Sequence, residues 1–404
     1  MDIMPILFFI VVIDLIGFGI IIPLLPFYAE FFKASPATVG MIMATYSLAQ
    51  FIAAPFWGWL SDRIGRRPVL LASLAGSAVA YSLLGFADNL WLLFGARALG
   101  GLMAGNISAA FAYVADITTP ENRAKGMGLM GAAFGLGFVI GPVIGGILAG
   151  PDPINADYKS PSLAAAGLSM LALILALLFL KESLPREARN RLQSKSNKSY
   201  LTQMRLSLKF PNLAFLILIS FLTTVVFSGL EVSFPLWSHR QFGWGPEQNA
   251  YLFAFVGVLG ALVQGGLAGL LSKRYGEIGL IIQGACTLCL GVILIPFAET
   301  VTFLVIAMTI AGYGFSIISP AINSAISLQV DRGSQGMVMG VTRSAMTLAR
   351  VAGPILAGAL FSAFGKDWPF YAGAIIMAAV FFLVSRRKPL LTSARKPLSP
   401  LDQI

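Results

Sequence analysis

Apolar stretches of 18 or more residues recur along the whole chain, one after another, and this limits the fold more than any other feature. Each is long enough to cross a hydrocarbon layer of about 30 Å. They fall near residues 5–30, 37–60, 69–87, 91–114, 126–150, 161–180, 213–238, 248–271, 278–297, 301–327, 337–364 and 368–385. Twelve such spans with short connections use up most of 404 residues and leave little for a soluble domain. Only 11% of the residues are charged, against roughly 25% in soluble domains. The sequence predicts an all-α polytopic membrane protein.

The formal charge of +10 invites a nucleic-acid reading, but its distribution excludes one. Connections alternate between basic and nearly charge-free. Arg63, Arg66, Arg67, Arg123, Lys125, eight residues between Lys181 and Lys209, Lys273, Arg274, Arg332 and five in the tail fall on one side. The other side has Lys33, Lys159, Arg240 and Lys366. Cytoplasmic loops collect Lys and Arg. Both termini are therefore expected in the cytoplasm of a multi-pass inner-membrane protein, with anionic lipid as the neighbour of the basic loops.

The first apolar run continues to about Tyr28 without a basic region before it, too long for a signal-peptide core, and reads as a retained helix. Cys286 and Cys289 sit three apart inside span 9, where lipid burial denies them the activated thiolate of a redox pair. One histidine, His239, and no clustered Cys, Asp or Glu support no metal site, and no cofactor is expected.

The segment Lys181–Phe210 breaks the apolar pattern with eight cations against Glu182 and Glu187. It divides the chain into six-helix halves at 1–180 and 212–386, joined by a basic cytoplasmic linker (181–211) and followed by a cytoplasmic tail (387–404). The linker reads in part as an amphipathic surface helix. The halves are related. A shift of 212 carries Gly128, Gly137, Gly141, Pro142, Gly145 and Gly146 onto Gly340, Ala349, Gly353, Pro354, Ala357 and Gly358. A shift of 211 carries Gly58, Leu60, Arg63 and Gly65 onto Gly269, Leu271, Arg274 and Gly276.

Two motifs carry chemistry. Between spans 2 and 3 the chain reads Gly58-Trp-Leu-Ser-Asp62-Arg63-Ile-Gly65-Arg66-Arg67-Pro68. Positive-inside anchoring accounts for its arginines but not for Asp62 or the glycines. Gly58 allows close helix contact, and Gly65 a tight turn that a Cβ would obstruct. Span 5 carries Gly128, Gly137, Gly141, Pro142, Gly145 and Gly146, small residues that let membrane helices approach closely. Together they resemble the helix 2–3 loop of the major facilitator superfamily and the helix-5 motif of its drug/proton antiporters. That resemblance implies two pseudo-symmetric six-helix bundles with substrate held between them near the midplane. It also implies that the Asp62 turn docks on the opposite half in the outward-open state. The acid then faces a helix N-terminus at the start of span 11, near Gly336–Gly340, and an arginine meets Asp116 after span 4. In the second copy Lys273 replaces Asp62, so the latch is asymmetric.

Asp14, Arg97, Glu231, Arg343 and Arg350 fall inside spans, where an ionisable group costs several kcal/mol unless paired or hydrated. Arg343, near a span end, has room to snorkel. Asp14 lies about 14 Å deep in span 1. Its run to Pro26 resembles span 1 of tetracycline efflux proteins, which also carry an acid there, so Asp14 is a candidate proton carrier or a structural acid capping a neighbouring helix. Glu231 lies in the outer half of span 7 and is a candidate proton site, cationic-drug site or arginine partner. Arg97 resembles the helix-4 arginine of the family, which lowers the proton affinity of an acid nearby. Arg350 either neutralises Glu231 or binds an anionic part of the substrate. In this fold spans 1, 4, 7 and 10 line the cavity, which makes Asn106, Tyr313 and Asn323 candidate lining residues.

The resemblance thus points to proton-coupled efflux of small amphipathic compounds by a monomer, with protons and substrate as partners. Export of a specific metabolite or lipid, and proton-linked uptake, are the alternatives. An enzyme would require a nucleophile–base set or metal ligands, and a receptor or scaffold would require large loops; the chain has neither.

Overall fold

A computed structural model describes residues 3–119, 122–153, 155–185, 210–330 and 335–393. Most of the linker, from 186 to 209, and the tail beyond 393 lie outside the described residues. The rest is almost wholly helical. The chain divides into two compact units, Met1–Asn197 with Phe234–Gly257, and Lys198–Ser233 with Val258–Ile404.

The first unit begins with α1 (Ile3–Ile21), α2 (Leu25–Phe31), α3 (Pro36–Ile64) and α4 (Arg66–Gly85). It continues through α5 (Leu90–Met103), α6 (Asn106–Ile117), α7 (Arg123–Ala149) and α8 (Lys159–Phe179). Further on come α9 (Pro211–Phe242), α10 (Pro246–Leu262), α11 (Ala268–Leu294), α12 (Val301–Leu328), α13 (Gln335–Phe364) and α14 (Trp368–Ser393).

Among the described residues 11 helical segments are long and apolar enough to cross a membrane, one of them Pro246–Phe297 with 52 residues. At 1.5 Å per residue that segment would reach about 78 Å, nearly twice a bilayer of roughly 40–45 Å. A π-helical turn at Val263–Leu267 and a non-helical Gly276 (φ 69°, ψ 169°) interrupt it. The helix breaks at Gly276, so this segment reads as two spans and the total among the described residues as twelve. The same geometry recurs at the related position Gly65 (φ 110°, ψ 168°), which ends α3. Both values lie where a Cβ is strained, and both copies of the turn use glycine there.

Side chains cap several starts. Ser35 accepts from the Thr38 N–H at 3.2 Å, Asn89 from Leu92 at 2.9 Å, and Thr300 from Phe303 at 3.3 Å. At α8, Asp157 accepts from the backbone of Lys159 and Ser160 and from the Ser160 hydroxyl. That hydroxyl bond first, then the backbone bonds, holds the Asp157 carboxyl below its ordinary range.

Two expected spans are broken. Span 1 stops at Ile21 and restarts at Leu25, because Pro23 has no N–H to continue the ladder. Span 4 unwinds at Ala104–Gly105, between α5 and α6. In lipid the freed carbonyls require partners. Trp57 Nε1 donates to the Leu102 carbonyl at 2.5 Å, and the Ser73 hydroxyl donates to that of Met103. A Cβ at Gly105 would overlap the Trp57 ring, so glycine gives this break its room.

Lipid tails are as apolar as leucine, so close packing and interhelical hydrogen bonds hold such helices together. In the first unit α1 lies along α7. A Cβ on Gly137 would stand 2.7 Å from the Leu15 side chain, and one on Gly141 2.7 Å from the Gly19 backbone. On its other side Gly17 meets Ala165 of α8. Leu7, Ile10, Leu15, Leu70, Tyr113 and Ala172 pack into one buried cluster around α1. In the second unit the related pair repeats this. A Cβ on Gly353 would stand 2.5 Å from the Val225 carbonyl, and one on Gly229 would stand 3.3 Å from Ala357. Gly128 and Gly58 differ from Gly137 and Gly141, since a Cβ at either would meet nothing within 4 Å. The close helix contact expected at Gly58 is therefore absent among the described residues.

Candidate functional site

In the first unit the Asp14 carboxyl is 7% exposed and held between three helices. Asn106 Nδ2 of α6 donates to Oδ2, and the buried Ser169 hydroxyl of α8 donates to Oδ1 at 3.1 Å. Asn106 is itself positioned by the break in span 4. Its backbone N–H donates to the Ser73 hydroxyl at 2.8 Å, the same hydroxyl that caps Met103. A carboxyl held by neutral donors retains a place for a proton without an ion pair to break.

Arg97 of α5 is 4% exposed. Its guanidinium lies 4.4 Å over the Tyr46 ring, an arrangement worth ~2 kcal/mol or more when desolvated. Its Nε has no hydrogen-bond partner among the described residues, and no ion pair joins it to Asp14 there. An unpartnered buried donor costs about 1–3 kcal/mol.

In the second unit Glu231 of α9 is 7% exposed and faces Arg350 of α13. Arg350 Nη1 donates to Oε2 at 3.3 Å, so of the roles open to Glu231 the arginine partner is the one with a contact in the structure. On α12, Tyr313 accepts through its hydroxyl from Gln283 at 2.9 Å, and Asn323 is half-buried. The Phe227 and Phe315 rings stack at 3.8 Å. Arg343 is exposed.

The charged turn forms a network. Arg66 is buried, and its Nη1 reaches Asp62 at 2.5 Å and the Ser61 hydroxyl at 3.0 Å. Its Nε reaches Asp116 at 3.0 Å, which also accepts from the Ser183 hydroxyl. Arg63 lies over the Trp59 ring at 4.3 Å, and Arg67 donates to the Leu177 carbonyl at 2.8 Å. The N-terminus of α4 is covered by Glu182, whose two oxygens accept from the Arg66 and Arg67 N–H groups at 2.8 and 3.2 Å. An anion there is favoured by the helix dipole. Gly145 and Gly146 of α7 approach Ile20 and Ala250, and Pro142 lies inside that helix.

Sequence reasoning missed Ser73, Ser169, Gln283, Tyr46 and Glu182. A serine or tyrosine in an apolar run carries no signal until its neighbour across the bundle is known. Glu182 was visible only as a counter-charge in the linker.

Helices of this number and apolar length, with buried acids and arginines inside them, define a polytopic membrane protein. A profile of the Major Facilitator Superfamily matches residues 7–354 and 267–403. The class C tetracycline resistance protein of Escherichia coli is 33% identical over 379 residues, 93% of each chain. Multidrug resistance protein 2 of Bacillus subtilis (strain 168) is 30% identical over 370 residues, 90% of this chain and 89% of that one. The crystal structure of the human organic anion transporter MFSD10 (TETRAN) superposes with a TM-score of 0.69 at 26% identity, covering 95% of this chain and 98% of that one. The chain belongs to the major facilitator superfamily.

Proposed function

We propose that the chain exports small amphipathic compounds in exchange for protons, by alternating access between bundles 1–180 and 212–386. The observation that carries this reading is Asp14, a buried carboxyl held by Asn106 and Ser169 with no ion-pair partner among the described residues. The relatives' names, tetracycline and multidrug resistance, support the direction and the substrate class. Asp14 takes a proton from the outside and gives it up inside, while Arg97 and Glu231 tune the exchange. Asn106, Tyr313, Asn323 and Arg350 contact substrate. The turn Gly58–Arg67 with Asp116 sets the balance between states, and the Gly137–Gly146 face of α7 is the surface on which α1 rocks. The excess of Lys and Arg in alternate connections supports a reading with both termini in the cytoplasm of an inner membrane; a monomer is the working unit proposed.

A specific observation favours a second reading. The buried Arg97 has an unpartnered Nε, and one relative is described as an organic anion transporter. An anionic substrate group would satisfy that donor.

Everted vesicles from cells lacking other pumps test both readings. Addition of a tetracycline or a cationic dye should dissipate a preformed pH gradient with wild type, and not with Asp14→Asn. A panel of organic anions in the same assay decides the second reading. Full gradient-driven pumping by the Asp14→Asn, Glu231→Gln double variant refutes proton coupling through these acids.

A further inference from the structure

The two copies of the charged turn differ in how they handle a helix N-terminus. In the first copy, α4 starts after Gly65, and the Glu182 carboxylate accepts from its first two N–H groups. Asp62 and Asp116 neutralise Arg66 beside it. In the second copy the helix resumes after Gly276, so Glu277 and Ile278 correspond to Arg66 and Arg67. The acids are gone from the corresponding places. Lys273 replaces Asp62, Leu328 replaces Asp116, and Ala394 stands where the repeat shift would carry Glu182.

A cavity of about 370 Å³ opens at this helix start, within the second unit. That is inside the roughly 300–1,000 Å³ range of small-molecule sites. Among the described residues, Lys273, Arg274 and Lys388 line it together with one carboxylate, Glu277, whose Oε1 accepts from the Ser272 hydroxyl at 3.4 Å. Gln329 also lines it. That residue is 4% exposed, and its Oε1 has no hydrogen-bond partner among the described residues. An acceptor buried without a donor costs about 1–3 kcal/mol. Cationic side chains and a helix N-terminus call for an anion, and the amide oxygen calls for a donor on the same ligand. Leu328, on the cavity wall, is 52% exposed, and Leu270 and Leu390 nearby in sequence are 66% and 62% exposed, which is an apolar border for acyl chains.

We propose that this cavity binds the phosphate of a hydroxyl-bearing anionic phospholipid headgroup of the leaflet beside it. The phosphodiester lies against Lys273, Arg274, Lys388 and the N–H groups that follow Gly276. A glycerol hydroxyl donates to Gln329 Oε1. The ligand supplies to the second copy the negative charge that Asp62, Asp116 and Glu182 supply to the first. A phosphatidylglycerol fits, whereas the ammonium of phosphatidylethanolamine meets three cations.

The test uses full-length protein in a neutral maltoside detergent, with thermal stability followed during titration of dioleoylphosphatidylglycerol, dioleoylphosphatidylethanolamine, phosphatidylmethanol or orthophosphate. Phosphatidylglycerol should raise Tm most. Each neutralised cation in Lys273→Gln, Arg274→Gln or Lys388→Gln should weaken binding about fivefold. Gln329→Leu should erase the preference for phosphatidylglycerol over phosphatidylmethanol. An equal response in wild type and the Lys388→Gln variant, whose site is exposed enough not to threaten folding, overturns the assignment. A matching shift from orthophosphate makes the ligand a soluble phosphate and overturns the lipid. A response that appears only after removal of residues 394–404 makes the tail the occupant. No arm measures transport, so failure here is separable from failure of the antiport reading.

Discussion

The Glu231–Arg350 pair is the sharpest quantitative test of how the second unit tolerates charge in the membrane. The partners stand 3.3 Å apart, but their exposures differ, with the arginine side chain 33% accessible and the glutamate 9%. Coulomb's law at an effective dielectric near 20 gives about 5 kcal/mol of attraction at that distance. Desolvation offsets much of it, chiefly on the glutamate. Arg350→Gln strands a buried carboxylate and is expected to cost ~3–5 kcal/mol. Glu231→Gln strands a guanidinium that can turn toward water, and should cost about 1 kcal/mol. The double variant should behave like Glu231→Gln, which implies a coupling of roughly 3–5 kcal/mol. Denaturant unfolding of the three variants and wild type in detergent completes the cycle. Equal single effects that add to within about 0.5 kcal/mol refute the asymmetry, and with it the claim that the pair is buried on one side only.

Further expectations follow from packing and caps. Gly141→Ala forces a Cβ against the Gly19 backbone and should cost ~1–3 kcal/mol and most export activity, whereas Gly128→Ala should leave both intact in unfolding and vesicle assays. Ser73→Ala removes the partner of both Asn106 N–H and the Met103 carbonyl, so it should destabilise by about 1–3 kcal/mol per stranded group and slow pH-driven export by loosening Asn106 from Asp14. Arg240 Nη2 reaches Glu30 at 2.8 Å, both partly exposed, so Glu30→Gln should change transport rate by no more than about fivefold, and less at high salt. Asp157→Ala should cost about 1 kcal/mol at neutral pH through loss of the α8 cap. Because the folded carboxyl is held below 3.8, that difference is fully present above this value and vanishes as pH falls through the lowered one, which urea unfolding at stepped pH measures.

The spans and the repeat were legible because lipid imposes a length and a composition on every helix, and because glycine positions repeat at one offset. What escaped was the geometry inside spans. The break at Ala104–Gly105 sits in an apolar run that reads as continuous, and the Trp57 indole and the Ser73 hydroxyl, far away in sequence, take up the carbonyls it frees. The acids and arginines of the site could be named from their cost in lipid. Their partners could not, since a serine such as Ser169 is as ordinary in sequence as any lipid-facing one. Gly58 shows the converse, a glycine whose motif position suggested contact and whose surroundings hold none within 4 Å.

The repeat keeps its backbone and changes its charges, and the division of labour follows from that. Gly65 and Gly276 make the same turn, and Gly141 and Gly353 pack against the same neighbouring helix of their own copy. Yet the acid of the first copy rests on an amide and a hydroxyl, and the acid of the second faces a guanidinium. Neutral donors remain hydrogen-bonded whether or not a carboxyl carries a proton, since the hydroxyl and amide groups can also accept. A guanidinium loses most of its attraction when its partner is neutralised. Proton exchange is therefore less disruptive at Asp14 than at Glu231. On that argument Asp14 is the better suited of the two acids to the proton exchange proposed above, and opening the Glu231–Arg350 pair costs less when another charged group replaces one of its partners.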